Sequence, residues 1–220
     1  MIEAAIFDLD GLLVDSEPLW QQAEMEVFAT VGLIVTAEQC METQGYRIDE
    51  AVDYWYRKYP WEGVTITELA ERVVIRLNQL LTERAQPMAG VVKTLDFFKQ
   101  RNIPMVVASS SNLSIIENAV NGLGIAHYFQ SLHSAQFEEY GKPHPAVFLK
   151  AAAAIGVAPV NCLVFEDSLF GLLAAKSAKM KAVSVPSHID INNPKFSIAD
   201  AILPTLEEWS EEVFNLVNKG

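Results

Sequence analysis

Two aspartates near the start of the chain are the residues whose type and spacing best suit chemistry. Asp8 and Asp10 follow a short apolar run and are separated by one residue. Because side chains alternate along a strand, two residues at this spacing point the same way. Carboxylates crowded onto one face repel each other unless a cation neutralises them, and such a pair suits covalent phosphoryl chemistry assisted by a metal. For this pair alone, a plain Asp-Gly turn at the end of a strand stays open.

A second acidic pair and a lysine occur later in the chain. Glu166 and Asp167 follow another apolar run and offer the oxygen ligands that Mg²⁺ prefers. Lys142 stands in a Gly-Lys-Pro sequence, where the proline restricts the backbone of the residue before it. A fixed ammonium here would offset the charge of an attacking carboxylate and a phosphoryl group. Helix capping by the acidic pair and a solvated surface lysine are the ordinary alternatives.

Two serines follow a third apolar run. Ser109 and Ser110 come directly after residues 105–108 and precede a helical pattern. A hydroxyl at this place can bond a phosphoryl oxygen alongside the backbone amides of a helix N-terminus. Both serines are therefore candidate phosphate-binding residues. Turn and N-cap roles would explain the same residues without a ligand.

The apolar runs and the helical patterns between them predict the elements that position these residues. Continuous apolar runs are typical of parallel strands covered on both faces, and they occur at 3–9, 104–108, 162–165 and 182–185. Helical patterns alternate with them at 91–101, 114–123, 145–155, 171–179 and 206–218. This alternation predicts an α/β fold with a doubly wound, mostly parallel sheet. The reactive residues fall at strand ends, where open α/β sheets bind ligands.

One long segment breaks the alternation. Helical patterns cover 18–31, 37–43, 48–59 and 67–84, and Thr67 followed by Glu68 and Glu71 predicts a capped start for the last of them. We therefore predict an all-helical cap domain at 16–87, inserted after the first strand. Residues 1–15 and 88–220 then form the α/β core domain.

Composition narrows the class of protein. The 220 residues are 50% hydrophobic and 20% charged, with a net charge of -12, which is the balance of a soluble globular protein. The acidity and the lack of a basic run argue against nucleic acid as a partner. The apolar runs are too short to span a membrane, and the chain start lacks a secretory pattern, so we expect a cytoplasmic protein. Cys40 and Cys162 are predicted to be buried structural thiols, and a monomer is expected, with an oligomer left open.

Four segments together resemble the motifs of the haloacid dehalogenase superfamily. They are DLDGLLVDSE from Asp8, a serine after a strand at Ser109, GKPHP around Lys142 and FEDS ending at Ser168. The resemblance covers the whole chain, including the helical cap. It implies a magnesium-dependent phosphatase acting on a small phosphorylated metabolite, with an aspartyl-phosphate intermediate on the first aspartate.

The resemblance also implies individual roles. Asp8 would be the nucleophile, and Asp10 the general acid that later serves as the general base. The Mg²⁺ shell would contain Asp8, the backbone carbonyl of Asp10 and Asp167, supported by Glu166. Ser109 and Lys142 would be the phosphoryl-binding pair, and Ser110 is a further candidate substrate-binding residue.

Within the superfamily, residues 15–20 and 45–49 resemble hexose- and hexitol-phosphate phosphatases, such as those acting on 2-deoxyglucose 6-phosphate. A sugar or sugar-alcohol phosphate is therefore the expected substrate. Arg47 is the candidate cap residue for a distal substrate group, since its guanidinium suits hydroxyls or phosphate. A salt bridge with Asp49 or Glu50 would explain it equally well.

Two alternatives remain. A β-phosphoglucomutase is the nearer one, but Trp20 stands where mutases carry a histidine. After Ser109, where mutases have a Lys-Asn pair, this chain has Ser111-Asn112-Leu113, without the lysine. Both differences favour water as the final phosphoryl acceptor. A phospho-receiver signalling module also combines acidic residues, a hydroxyl and a lysine, yet it should lack a helical insert of roughly 70 residues, which is the size of a substrate lid.

Overall fold

The computed structural model describes residues 1–187 and 191–219, so the predicted core's last residue, Gly220, lies outside the described part. Within these residues one parallel sheet has the strand order β3-β2-β1-β4-β5-β6. Its strands are β1 (Ala4–Phe7), β2 (Met105–Ser109), β3 (Ser131–Ser134), β4 (Cys162–Glu166), β5 (Lys181–Ser184) and β6 (Ala201–Ile202). The predicted doubly wound parallel fold is confirmed.

The apolar runs form strands because both faces of the sheet are covered. All residues of β1, β2 and β4 are buried, and Ile6 pairs with Val106 on one side and Val164 on the other. Alternate side chains enter two separate clusters, one containing Phe7 and the other containing Ile6. A strand with apolar partners on both faces needs no polar alternation.

Helices cover both faces of this sheet. Residues of α5, α6 and α9 join the cluster that contains Phe7, whereas α7 and α8 supply the cluster that contains Ile6. The helices are α1 (Glu17–Ala29), α2 (Ala37–Cys40), α3 (Ile48–Lys58), α4 (Ile66–Arg84), α5 (Val91–Gln100), α6 (Leu113–Gly122), α7 (Ala146–Ala154), α8 (Leu169–Ser177) and α9 (Glu211–Lys219).

The helices α1 to α4 follow β1 and pack on one another, and their buried residues belong to the same apolar cluster as Phe7. They share apolar contacts that include Phe28, Trp55 and Leu77. The two ends of this segment meet, because the Asp15 N–H donates to the Gln86 carbonyl at 2.9 Å. This arrangement agrees with an insert near 16–87, although the division into two domains stays a prediction.

Some predicted boundaries were wrong. α4 begins one residue before Thr67, because Thr65 is the cap: its hydroxyl accepts from the Glu68 N–H, and the Glu68 carboxylate accepts from the Thr65 N–H at 2.9 Å. The predicted helix 206–218 begins only at Glu211. A 3₁₀ turn precedes it, and Trp209 then takes an extended backbone that buries its indole in the core. The edge strands β3 and β6 were not predicted.

Helix length and cysteine burial are two further features of the described residues. Among residues 1–187 and 191–219, none of the helices has the length and hydropathy needed to cross a membrane. Cys40 and Cys162 are free and buried, as predicted. Burial raises the pKa of the Cys162 thiol to about 11, so this thiol stays protonated at neutral pH.

Gly90 is predicted to be less replaceable than another glycine with similar backbone geometry. Gly90 has φ +85°, and an added Cβ would lie 2.2 Å from the Glu207 backbone nitrogen, whereas Gly32 has φ +79° and open space around it. Gly32→Ala carries only the left-handed backbone penalty of about 1–2 kcal/mol. Gly90→Ala carries that penalty plus an overpacking cost of about 1–3 kcal/mol. Urea unfolding measures the free energy of unfolding of each variant. Equal losses of this free energy in the two variants would contradict the close packing around Gly90.

Candidate active site

The predicted site residues converge at the carboxyl ends of the three central strands. Asp8 follows β1, Ser109 ends β2, and Glu166 ends β4, with Asp167 next along the chain. β1 lies between β2 and β4, so these ends are neighbours. From β1 the strand order continues through β2 and β3 on one side, and from β4 it continues through β5 and β6 on the other. Doubly wound sheets bind ligands where the order reverses, which here is between β1 and β4.

Lys142 lies at the centre of this cluster. Its ammonium donates to Asp8 Oδ1 at 2.7 Å, to Glu166 Oε1 at 2.5 Å and to the Ala108 carbonyl at 3.3 Å. Burial by itself would lower the pKa of Lys142, but the charges and hydrogen bonds of the two carboxylates outweigh it and raise the pKa. The lysine is therefore a fixed positive charge that holds Asp8 in place.

One ammonium does not balance the carboxylates around it. Asp8, Glu166 and Asp167 each offer an oxygen within 4.8 Å of the others. Burial, only partly opposed by Lys142, raises the pKa of Asp8 to about 7. Burial and the charges of Glu166 and Asp8 raise the pKa of Asp167 well above its usual range. A hard divalent cation would relieve this repulsion and match the oxygen ligands, so the residues fit a metal site.

Gly11 allows the first and last acidic motifs to approach. It has φ +69°, and a Cβ at this position would lie 2.3 Å from Asp167 Oδ2. A larger residue would push the Asp167 carboxylate out of the cluster. The glycine of the first motif therefore serves both the turn and the contact with Asp167.

Asp10 has different surroundings from Asp8. Its Oδ1 accepts from the Ser16 hydroxyl at 2.6 Å and from the Trp20 indole N–H at 2.8 Å. Its Oδ2 accepts from the Ser111 hydroxyl at 2.6 Å and more distantly from Ser109. The sequence assigned no role to Ser16 or Ser111, and Trp20 was noted only as the residue that stands where mutases carry a histidine. The serine run 109–111 was a signal for Ser111 only, since Ser16 has no serine beside it.

The two candidate phosphate-binding serines differ. The Ser109 hydroxyl is buried, accepts from the Ser111 N–H at 3.1 Å and lies at the cavity beside Lys142. The Ser110 hydroxyl also lines this cavity but donates to the Gly45 carbonyl of the helical segment at 3.1 Å. Ser110 therefore connects the core to the helices above it.

Arg47 is engaged away from the acidic cluster. Its guanidinium forms a two-pronged salt bridge with Asp49, at 2.6 and 2.7 Å, and donates to the Glu138 carbonyl at 2.7 Å. The alternative noted from the sequence, a salt bridge within the helical segment, is thus present. These contacts tie the segment to the core, and a substrate-binding role for Arg47 stays a prediction.

A covered cavity connects the acidic cluster with the helical segment. The core contributes Asp8, Asp10, Ser109, Lys142 and Asp167, and the helical side contributes residues of α1 and of the turn after α2. The cavity is a place for a small molecule held between two layers. The cavity thus lies between the carboxyl ends of the strands and the helical segment.

The doubly wound sheet, the acidic residues at its strand ends and the buried lysine accord with the resemblance to haloacid dehalogenase-like hydrolases seen in the sequence. The sequence-family model of haloacid dehalogenase-like hydrolases matches residues 5–185 of this chain. The chain belongs to this family.

Relatives and solved structures with similar sequences extend over nearly the whole chain. Hexitol phosphatase B of Escherichia coli (strain K12) is 40% identical over 208 residues, which are 94% of each chain. The fructose-1-phosphate phosphatase of the same strain is 32% identical, covering 82% of this chain and 94% of its own. The crystal structure of β-phosphoglucomutase from Clostridium difficile superposes with a TM-score of 0.85 at 27% identity, covering 100% and 98% of the two chains.

Proposed function

We propose that the chain is a magnesium-dependent phosphatase that hydrolyses a sugar or sugar-alcohol phosphate through an aspartyl-phosphate on Asp8. The observation that carries this proposal is the buried Asp8 carboxylate, held by Lys142 beside Glu166 and Asp167. Family membership supports the reaction class. The relatives named hexitol phosphatase and fructose-1-phosphate phosphatase support the substrate class.

The first step transfers the phosphoryl group to the protein. One oxygen of the Asp8 carboxylate attacks phosphorus, and the bond between phosphorus and the sugar oxygen breaks. Asp10 delivers a proton to that leaving oxygen, so the sugar departs as an alcohol. Lys142 and Ser109 stabilise the negative phosphoryl oxygens during transfer.

The second step returns the protein to its starting state. Asp10, now ionised, removes a proton from a water molecule as the water oxygen attacks phosphorus. The bond between phosphorus and Asp8 breaks, releasing inorganic phosphate and regenerating both carboxyl groups. Hydrogen bonds from Ser16, Trp20 and Ser111 hold Asp10 in place for both proton transfers.

The metal would be held by Asp8, Asp167 and the Asp10 backbone carbonyl. When bound, Mg²⁺ supplies positive charge that lowers the repulsion between the carboxylate and the phosphoryl group. Both oxygens of Glu166 already accept hydrogen bonds, from Lys142 at 2.5 Å and from the Ser168 hydroxyl at 2.9 Å. This supports a role for Glu166 in orienting Lys142 beside the metal rather than in direct coordination.

The helical segment serves as a lid and selects the substrate. We place the cap at 16–87 and the catalytic core at 1–15 and 88–220. Closure of the cap excludes bulk water from the phosphoryl group. The binding partner is then a small phosphate ester, and neither nucleic acid nor a membrane is a partner. The protein would act in the cytoplasm.

Phosphate release measures the central proposal. The wild-type protein is expected to hydrolyse hexitol and hexose phosphates with Mg²⁺ and to lose this activity in EDTA. Asp8→Asn removes the nucleophile, so turnover is expected to fall by roughly 10⁴-fold or more while the fold persists. The matched control Asp53→Asn changes a residue paired with Arg57 on a cap helix and should retain activity. Activity in Asp8→Asn would exclude the covalent step, and a stable phosphoprotein without turnover would favour the receiver alternative.

The identity of the phosphoryl acceptor separates a phosphatase from a mutase. In ¹⁸O-labelled water, one labelled oxygen is expected in each released phosphate after the second step. Isomerisation of β-glucose 1-phosphate is expected to stay at background, because Trp20 has only an N–H donor where mutases carry a histidine. Efficient isomerisation would reverse this assignment.

Trp20→Phe is predicted to impair the proton transfers by removing the indole donor to Asp10 Oδ1, while the Ser16 hydroxyl still donates to the same oxygen. A hydrogen bond to a charged group contributes about 1.5–3 kcal/mol, so kcat is expected to fall about tenfold or more. Trp61→Phe is the control, since it removes an indole hydrogen bond to the Val64 carbonyl elsewhere in the cap. Equal kcat values for the two variants would show that the indole does not orient Asp10.

A further inference from the structure

One face of α1 lines the cavity beyond the acidic cluster. Glu17, Trp20, Gln21 and Glu24 all contribute to the cavity wall. Their spacing of three, four and seven residues places them on a single side of the helix. Three of the four are polar, although a cap helix that merely packed on its neighbours would direct apolar residues inward.

This face begins at the reactive residues and extends away from them. Trp20 contacts the Asp10 carboxylate at 2.8 Å. Glu24 lies one turn further along the helix, about 6 Å at 1.5 Å per residue. A substrate whose phosphate lies at Asp8 would therefore direct its remaining carbons along Gln21 toward Glu24.

Glu24 is a buried carboxyl group with little internal compensation. Its exposed fraction is 7%. The Cys40 thiol, a weak donor, is its hydrogen-bond partner. Burial raises the pKa of Glu24 to about 7, so neutral and ionised forms coexist near neutral pH. Cys40 stays protonated, because burial and the Glu24 charge raise its pKa to about 12.

A carboxyl group can accept several hydrogen bonds. Within the part of the chain that the structure describes, the Cys40 thiol is the donor to Glu24, so most of this capacity is unused. Incompletely paired buried polar groups reduce stability and persist mainly where function requires them. Glu24 is one of the residues that line the cavity, so a bound ligand can reach it. A ligand with hydroxyl groups is the chemistry that would pair with it.

The neighbouring residues favour the same kind of ligand. The Glu17 carboxylate accepts from the Gln21 and Gln44 amides, each at 3.3 Å. These contacts orient amide and carboxylate groups along the cavity, where Thr43 also lies. Two carboxyl groups on one wall would repel a second phosphate or a carboxylate on the distal part of the substrate.

We infer that Glu17, Gln21 and Glu24 form a hydroxyl-binding subsite, in which Glu24 recognises a hydroxyl distal to the phosphate and excludes a distal anion. The subsite selects an uncharged polyhydroxylated chain several carbons long. This inference rests on the proposed phosphatase function and specifies which part of the cap selects its substrate.

Isosteric substitutions test Glu24 directly. Glu24→Gln and Glu24→Met are compared with wild type on glucitol 6-phosphate and on p-nitrophenyl phosphate, which has no distal hydroxyl. Loss of a hydrogen bond to a carboxyl group is expected to lower kcat/KM for glucitol 6-phosphate about tenfold or more in Glu24→Met, with a smaller loss in Glu24→Gln. For p-nitrophenyl phosphate, kcat/KM is expected to change less than about twofold, since the reacting groups are untouched.

Glu26→Gln is the matched control on the same helix. Glu26 pairs with Arg76 at the cap surface, so all rates should stay at the wild-type level. The thermal midpoint of Glu24→Met is expected to equal or exceed that of wild type, because an incompletely paired buried carboxyl is removed. A third substrate, glucitol 1,6-bisphosphate, should gain relative to glucitol 6-phosphate in Glu24→Gln.

The outcomes separate the two proposals. Equal losses on both monophosphates, or no loss on glucitol 6-phosphate, would overturn the subsite while leaving a phosphatase. A wild-type protein that hydrolyses p-nitrophenyl phosphate but no sugar phosphate would overturn the substrate class and the subsite with it. A wild-type protein inactive on every ester would overturn the proposed function itself.

Discussion

The buried ion pair between Lys142 and Asp8 is the constraint on which the rest of the site depends. An ammonium and several carboxylates are stable inside a protein only when their charges are paired and hydrogen-bonded. Lys142 satisfies Asp8, Glu166 and a backbone carbonyl together. This requires the ends of β1, β2 and β4 to stay together, which the fully buried parallel strands provide. The apolar core therefore positions charges that would otherwise separate.

The same strand end gives its two aspartates different environments. Asp8 lies among charged groups, whereas Asp10 accepts hydrogen bonds from neutral donors on both of its oxygens. A carboxylate stabilised by positive charge suits nucleophilic attack, and one held by neutral donors can exchange a proton without losing its position. Because one of those donors, Trp20, belongs to α1, the placement of the helical segment and the orientation of Asp10 are coupled.

The residues that the sequence predicted and those that it missed differ in their physical signal. Asp8 and Asp167 follow strong apolar runs, and Lys142 stands in a Gly-Lys-Pro sequence. The structure brings the three residues together, and their roles stay predictions. Strands β3 and β6 escaped prediction because SLHS has one strongly apolar residue and β6 has only two residues. Ser111 and Glu24 were missed because their importance comes from partners distant in sequence, which neither periodicity nor composition encodes.

Charge also explains how an acidic protein with a net charge of -12 can use an anionic substrate. The described cavity residues include the carboxyl groups of Asp8, Asp10, Glu17, Glu24 and Asp167, against one ammonium from Lys142. Such a cavity would repel a phosphate ester unless a cation were bound beside the strand ends. The attraction is then confined to one end of the cavity, and the acidic wall of α1 remains unfavourable for any second anion. A phosphate ester whose remaining chain is uncharged and carries hydroxyl groups suits both ends of the cavity.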